Sequence, residues 1–414
     1  MRILKLCTRL SLFLVVLSAI GCAQAIAANS FALMSYRPEQ SSNAQSASTA
    51  ANTFGLKLLA DLAAHRPHDN VFISPLSVFV ALTMTETGAA GKTQAAMRHA
   101  LAVPSSLSEH ALHESASALL KALALRKGVE LSIANALWSD VRLPLSAGFI
   151  EKCRQLYAAD ATTLDFSHAA TASTINKWVS EHTHGKIPTI VNPVIVKASN
   201  AILTNAVYFK GRWEYQFSKN ETKDESFHLA DGREKKVPMM HQSFIEDAYR
   251  SGDGYEAAAL PYENSGMQLY AILPAAGKTP EQALAQVSVE KLRRPSEPNK
   301  LDLRLPRFTL DFDAGLKEPL SRMGMGVAFT PEAEFAPIGS PKFVIGDVLH
   351  KTRLEIDEEG TVAAATTVVV MPATAMKPPP RKDHKLVFDR PFVLLLCDDE
   401  SGAILFAGVV YEPR

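Results

Sequence analysis

His110 and His113 have a type and spacing that could do chemistry, because histidines three apart on a helix share a face and can begin a metal site. No third ligand accompanies them at a useful spacing, so they are expected on a solvated helix face and no metal is assigned. His182 and His184 flank an expected helix end, where a polar ring meets the last carbonyls. The motifs of catalysis are missing from the sequence: there is no Gly-x-Ser-x-Gly elbow, no His-Glu-x-x-His, no phosphate-binding glycine loop and no dinucleotide fingerprint. An enzyme is therefore not expected, and an exported hydrolase is the most distant reading.

The segment that stands out can change conformation rather than substrate. After the acidic turn Glu355-Ile-Asp-Glu-Glu-Gly360, residues 361–376 carry no charge and are rich in Thr, Val and Ala. Residues 361–371 read as strand, since β-branched side chains favour extended backbone. Left exposed, such a stretch invites pairing with any open sheet edge. It runs directly into Lys377-Pro-Pro-Pro-Arg-Lys-Asp-His-Lys385, which is expected to be a solvated loop. A strand-competent tract joined to an exposed loop has two places to sit, which points to a switch.

The elements that must position this tract follow from the rest of the chain. Its 414 residues can bury a large core, and 43 basic against 43 acidic residues leave no net field for nucleic acid or an anionic membrane. Arg2, Lys5 and Arg9 precede an apolar run over residues 10–20, so residues 1–25 read as a signal peptide. Two cleavage readings stand: Ala19-Ile-Gly-Cys22 is like a lipoprotein box that would lipidate Cys22 and anchor the chain to a membrane, and Ala23-Gln-Ala25 suits ordinary signal peptidase. The Ser/Asn/Gln/Ala-rich residues 26–51 read as a flexible tether, and the chain as exported: extracellular, periplasmic or anchored to an outer membrane. Cys153 and Cys397 match no zinc spacing or disulfide framework and are expected to be free, buried thiols.

From residue 52 to 414 neither a repeat nor a linker interrupts the chain, so one mixed α+β domain is expected. Helical spacing begins at Thr53, and residues 81–90 have the most buried character before strand texture sets in at Val129. Helices are expected at 146–156, 170–183 and 314–323. Residues 201–210 form a nearly continuous apolar strand, as in a sheet covered on both faces. Residues 225–274 read as β with a hairpin at Asp231-Gly232, residues 301–310 alternate as a strand, and apolar strands close the chain at 392–397 and 403–410.

Four stretches together carry a family likeness across about residues 52–412: Asn70-Val-Phe-Ile-Ser-Pro-Leu-Ser77, Thr204-Asn-Ala-Val-Tyr-Phe-Lys-Gly-Arg-Trp213, Val348-Leu-His-Lys-Thr-Arg-Leu-Glu-Ile-Asp-Glu-Glu-Gly-Thr361 and Phe388-Asp-Arg-Pro-Phe392. In these the chain resembles a serpin. The resemblance implies three β-sheets, about nine helices and an exposed reactive-centre loop. It also implies suicide inhibition without a cofactor, by a monomer whose partner is a target protease held as a covalent acyl complex. A non-inhibitory serpin acting as substrate, chaperone or carrier is the alternative.

Residue by residue, the resemblance assigns a hinge to Glu358, Gly360, Thr361, Ala363, Ala364 and Ala365. Its spacing puts the reactive bond at Thr374–Ala375, with Ala373 and Met376 as neighbouring choices, which suits elastase-, subtilisin- or chymotrypsin-like serine proteases or a cysteine protease. Lys377 is an unsuitable site because Pro378 follows it. Ser74, Ser77, Asn205 and His350 match a polar shutter beneath the sheet. Trp213 and Arg307 match the breach at its top, where Glu358 is expected to pair with Arg307 as an exposed ion pair.

Overall fold

The computed structural model describes residues 38–295, 297–361 and 381–414, with side chains from Gln45 onward. Sixteen strands, numbered in chain order, make three sheets, and ten α-helices accompany them among the described residues. This is the mixed α+β architecture expected from the sequence.

The main sheet holds β2 (Val129–Asp140), β3 (Asp160–Leu164), β4 (Ala201–Arg212), β11 (Phe308–Gly315) and β12 (Asp347–Ile356), in the order β11-β12-β4-β2-β3, with the short β13 (Gly360–Thr361) beside β4. The second contains β1 (Val71–Ile73), β7 (Tyr249–Gly252), β8 (Tyr255–Pro261), β9 (Met267–Pro274), β15 (Phe392–Asp398) and β16 (Ile404–Val410), in the order β1-β16-β15-β9-β8-β7. The third is β14 (Lys382–Val387), β10 (Asn299–Pro306), β6 (Glu234–Glu246) and β5 (Lys223–His228), in the order β14-β10-β6-β5.

Burial explains which runs became which strands. β15 and β16 are buried at every position and form the centre of the core, which is why their sequences are uninterrupted apolar runs. β10 alternates buried and half-buried positions, as a one-sided sheet requires. The helix Pro75–Glu86 is buried along its whole length; Ser74 caps it and Pro75 sits at its first position, where no amide donor is needed. Its threonines would be costly at such depth, but Thr83 and Thr85 return their hydroxyls to the carbonyls of Phe79 and Ala81.

Several expectations are corrected. The tether over residues 26–51 is too long, because a helix, Pro38–Ala64, begins ahead of Thr53. Ala47, Ala50 and Ala51 are buried on the face continued by Phe54 and Leu58, so small residues that looked like linker are close-packed core. Residues 382–385 are not solvated loop: they open β14, which pairs in parallel with β10 from Lys382↔Asn299 onward. Their charges lie along an edge strand, where lysines discourage further pairing. The alternating run 301–310 is two strands in different sheets, since β10 ends at Pro306 and the Arg307 amide turns to the carbonyl of Pro238. The helix expected at 314–323 starts later, because β11 extends through Gly315; the α-helix covers Lys317–Leu320 and continues as a π-turn over Ser321–Met325.

His113 does not lie on a solvated face. It is buried, its Nδ1 is 2.6 Å from the Tyr157 hydroxyl, and its Nε2 is 3.1 Å from Glu86, whose side chain is fully buried. His182 does meet its helix end, with Nδ1 2.8 Å from the carbonyl of Trp178. Cys153 and Cys397 are free and buried, and burial pushes the Cys153 thiol up to about 12, which leaves it unreactive.

Candidate functional site

The candidate site is the seam between β4 and β12. These strands are direct neighbours, paired in parallel from Asp347↔Ile202 to Arg353↔Tyr208. β4 continues upward against β2 as far as Gly211↔Val129, while β12 ends at Ile356 and the chain turns back. Gly360 and Thr361 then pair antiparallel with Arg212 and Gly211. Between Tyr208 and Gly211, β4 has no ladder partner on the β12 side among the described residues, and Thr361 is paired at the upper end of that stretch.

The turn that reverses the chain is built by one carboxylate. Asp357 Oδ1 accepts the amides of Glu359 at 2.9 Å and Gly360 at 3.0 Å, and the Asp357 amide donates to the Gly360 carbonyl at 3.0 Å. Burial raises the pKa of Asp357, opposed by these two amides. Gly360 is required by close approach, since a Cβ there would lie 2.1 Å from the carbonyl oxygen of Gly211.

Around the turn lie the residues expected at the breach. Trp213 Nε1 donates to the Asp357 carbonyl at 2.9 Å, its amide donates to the Glu359 carbonyl at 3.0 Å, and its ring stacks on Tyr262 at a centroid distance of 4.6 Å. The fully buried Thr361 shares a 2.8 Å hydrogen bond with the Tyr262 hydroxyl, which burial keeps protonated. Glu358 does pair with Arg307, at 3.2 Å, but not as an exposed pair: the Glu358 side chain is 3 % exposed and the Arg307 side chain 50 %. Thr222 also donates its hydroxyl to Glu358 at 2.7 Å, and the Phe217 amide donates to the Glu358 carbonyl at 2.9 Å.

Lower on the same seam the residues expected at the shutter form one continuous chain of hydrogen bonds. The register sets Asn135 opposite Asn205 on β2 and β4, and His350 opposite Asn205 on β4 and β12. The Ser74 amide donates to His350 Nε2 at 3.1 Å, so Nε2 is the acceptor and the ring proton sits on Nδ1, which donates to Asn205 Oδ1 at 2.5 Å. The Asn205 amide group in turn donates to Ser77 Oγ and Asn135 Oδ1, and the Ser74 hydroxyl donates to the Leu405 carbonyl at 2.6 Å. Burial drives the pKa of His350 down to about 3, so this network is neutral.

The four shutter residues expected from the sequence are thus brought together, and Trp213, Arg307, Glu358, Gly360 and Thr361 meet at the top of the seam. Ala363, Ala364 and Ala365 of the hinge, the reactive-bond residues Ala373, Thr374, Ala375 and Met376, and Cys22 lie outside the described residues. Sequence reasoning missed Asn135, Tyr262, Thr222 and Asp357. Asn135 carried a signal, as an amide inside an otherwise apolar strand run; the other three are ordinary in sequence and acquire a role only by position.

A family model described as serpin (serine protease inhibitor) matches residues 49–413. An uncharacterized serpin-like protein of Thermococcus kodakarensis is 34 % identical over 374 residues, covering 88 % of this chain and 85 % of that protein. The leukocyte elastase inhibitor of Bos taurus is 33 % identical over 388 residues, covering 88 % of this chain and 99 % of its own length. Among solved structures, human thyroxine-binding globulin in complex with thyroxine superposes with a TM-score of 0.81 at 27 % identity, over 90 % of this chain and 100 % of the globulin.

Proposed function

The chain belongs to the serpin family, and from that premise we propose that it inhibits serine proteases as a suicide substrate, trapping the enzyme by inserting residues 361–374 between β4 and β12. The carrying observation is the start of that insertion: Thr361 is already buried and paired antiparallel with Gly211, at the mouth of a seam whose lower strands are still directly joined.

The chemistry asked of the chain is small. The protease serine hydroxyl attacks the carbonyl of Thr374, the bond to Ala375 breaks, Ala375 leaves as a free amine, and the Thr374 acyl group remains as an ester on the enzyme. The outcome is then a race between hydrolysis of that ester and insertion of the freed strand. Continuing the register of Thr361 down β4 brings Ala363 opposite Phe209, Ala365 opposite Val207 and Thr367 opposite Asn205. Small or hydroxylated side chains therefore meet the interior, which favours fast entry into a packed sheet. Thr367 arrives where His350 now accepts and donates, so insertion must break the Asn205–His350 hydrogen bond along with the β4–β12 ladder around it, and a hydroxyl is delivered to take its place.

Small and medium residues around the bond suit elastase- and subtilisin-like pockets. The apolar leader supports export, with the chain either processed after Ala25 or lipidated at Cys22. Incubation with pancreatic elastase and with subtilisin tests the reading: a complex that survives SDS, with the released peptide beginning at Ala375, is the expected result. Cleavage without a complex from either protease would replace it with the substrate or carrier reading.

A further inference from the structure

One set of ion pairs crosses the seam on the sheet face away from the shutter. The helix Thr171–His182 lies over that face, with Val179 and, in the loop behind it, Ile187 packed on Ala134 of β2 and Ala206 of β4. Residues 184–186 of that loop bridge two strands. His184 Nε2 is 2.9 Å from Glu130 and 3.1 Å from the Ser132 hydroxyl, both on β2. Lys186 Nζ is 3.3 Å from Glu355 on β12, which also takes Arg353 at 2.8 Å, and Arg353 reaches Asp311 on β11 at 3.1 Å. Tyr208 of β4 lies between the two ends, its ring 5.7 Å from that of His184; burial, Glu130 and Glu355 all push its phenol upward.

The turn that presents both side chains is firmly tied. The Gly185 amide donates to the Ser180 carbonyl at 2.8 Å, the Lys186 amide to the Thr183 carbonyl at 2.9 Å, and the Ile187 amide to the Thr183 hydroxyl at 3.2 Å. His184 takes φ +52° and Gly185 φ +76°, so two successive left-handed residues reverse the chain, a conformation that costs histidine more than glycine. Both bridged carboxylates stand at one level of the sheet. Glu130 is opposite Lys210, and the β4·β12 register, carried two residues past Arg353↔Tyr208, brings Glu355 to Lys210 as well. That level is the fork, where β12 leaves β4.

We propose that His184 and Lys186 form an ionic clasp over the fork of the seam, joining β2 to β12, and that Glu355 must let go of Lys186 before a strand can enter below Lys210. This rests on the inhibitor reading above and adds what sets the pace of insertion. Adjacent strands stand about 4.8 Å apart, so parting Arg353 from Tyr208 to admit one more strand carries β12 away by about that distance. The Cα atoms of residues 184 and 186 are no more than about 7 Å apart even in extended backbone, and the turn holds them nearer. The clasp therefore cannot follow both strands. Its pairs are partly in water: the side chains of Lys186 and Glu355 are 32 % and 25 % exposed, those of His184 and Glu130 55 % and 43 %. The lock is consequently weak and salt-sensitive, a small barrier in the race that insertion must win against ester hydrolysis.

Uptake of a synthetic peptide matching residues 361–374 by the uncleaved protein, followed on native gels, reads opening of the seam without any protease. At about 0.05 M salt, Lys186→Met is expected to take up peptide about threefold faster than wild type, and Lys186→Arg at the wild-type rate. At about 1 M salt, where screening acts within about 3 Å, wild type is expected to reach the rate of Lys186→Met. Lys177→Met, which removes a pair with Glu181 inside the helix alone, is expected to leave the rate as it was. Adding His184→Asn to Lys186→Met is expected to bring no further gain, because a clasp cut at one end no longer spans the seam. A Lys186→Met rate within about 1.5-fold of wild type at low salt overturns the proposal, as does a gain undiminished at about 1 M salt or an additive gain from the two ends. Absence of uptake in every variant also overturns it, and leaves the inhibitor reading standing where a complex with elastase or subtilisin forms. If wild type is cleaved without forming a complex, the inhibitor reading has failed, and the ratio of uptake rates still decides the clasp.

Discussion

Along the seam of β4 and β12, the middle is closed by the row Asn135–Asn205–His350, and the top by Trp213, Glu358 and Arg307 around the returning chain. The middle is neutral, buried and fully hydrogen-bonded across three strands; with His350 driven down to about 3, no charge has to be moved when it opens. The top is ionic and half in water, with Arg307 50 % exposed and Lys219 reaching Glu359 at 2.5 Å. A neutral network in a dry setting loses its whole value once its partners separate, whereas a half-exposed ion pair is screened and changes little. The seam thus has a neutral, dry middle beneath an ionic, half-exposed top where Thr361 pairs with Gly211, and on the proposed reading a strand would enter from that top.

Three substitutions or titrations can break or sharpen that contrast. The largest effect is expected at the mouth: Thr361→Arg puts a long, charged side chain at a fully buried position beside the Tyr262 hydroxyl. Complex formation with elastase should disappear and be replaced by simple loop cleavage, visible on an SDS gel; a persisting complex would show that entry does not pass this point.

Next is acid. An unfolded histidine titrates near 6.5, and folded His350 near 3, so between those values the unfolded chain binds more protons and stability must fall as pH falls. The contribution is fully present above pH 6.5; at pH 4.5 the loss from this group is about 3 kcal/mol. Urea denaturation at pH 7 and pH 4.5 should reveal it, and His350→Gln should flatten that part of the slope. Equal slopes in the two proteins would mean the ring is not held neutral in the seam.

The smallest effect belongs to the ion pair. Arg307→Ala leaves the buried Glu358 carboxylate with the Thr222 hydroxyl and with the water that the half-exposed guanidinium site admits, so the cost is about 2 kcal/mol. A loss several times larger in the same denaturation experiment would make the top of the seam, rather than its middle, the principal lock.

Much of this was legible in the residues themselves. The continuous apolar run of β4, the capped helix after Ser74 and the alternation of β10 follow from periodicity and capping, which are local properties. Ser74, Ser77, Asn205 and His350 were recognisable through motif likeness, although they come from four separate stretches of sequence. The failures also have a common cause: alanine and serine over residues 45–51 look like linker until a core packs against them, and the charges of β14 look like loop until β10 supplies a ladder.

By itself, the sequence determined that a charge-free, β-prone tract would follow an acidic turn, because composition and propensity act over a few residues at a time. Only the tertiary structure decided that Asn135 joins the Asn205–His350 network, that Tyr262 receives Thr361, that Glu358 is buried rather than exposed, and that Phe244 is turned outward by a bulge. Each of these depends on strand register, which sets residues tens to hundreds of positions apart directly opposite one another, and no local preference along the chain encodes it.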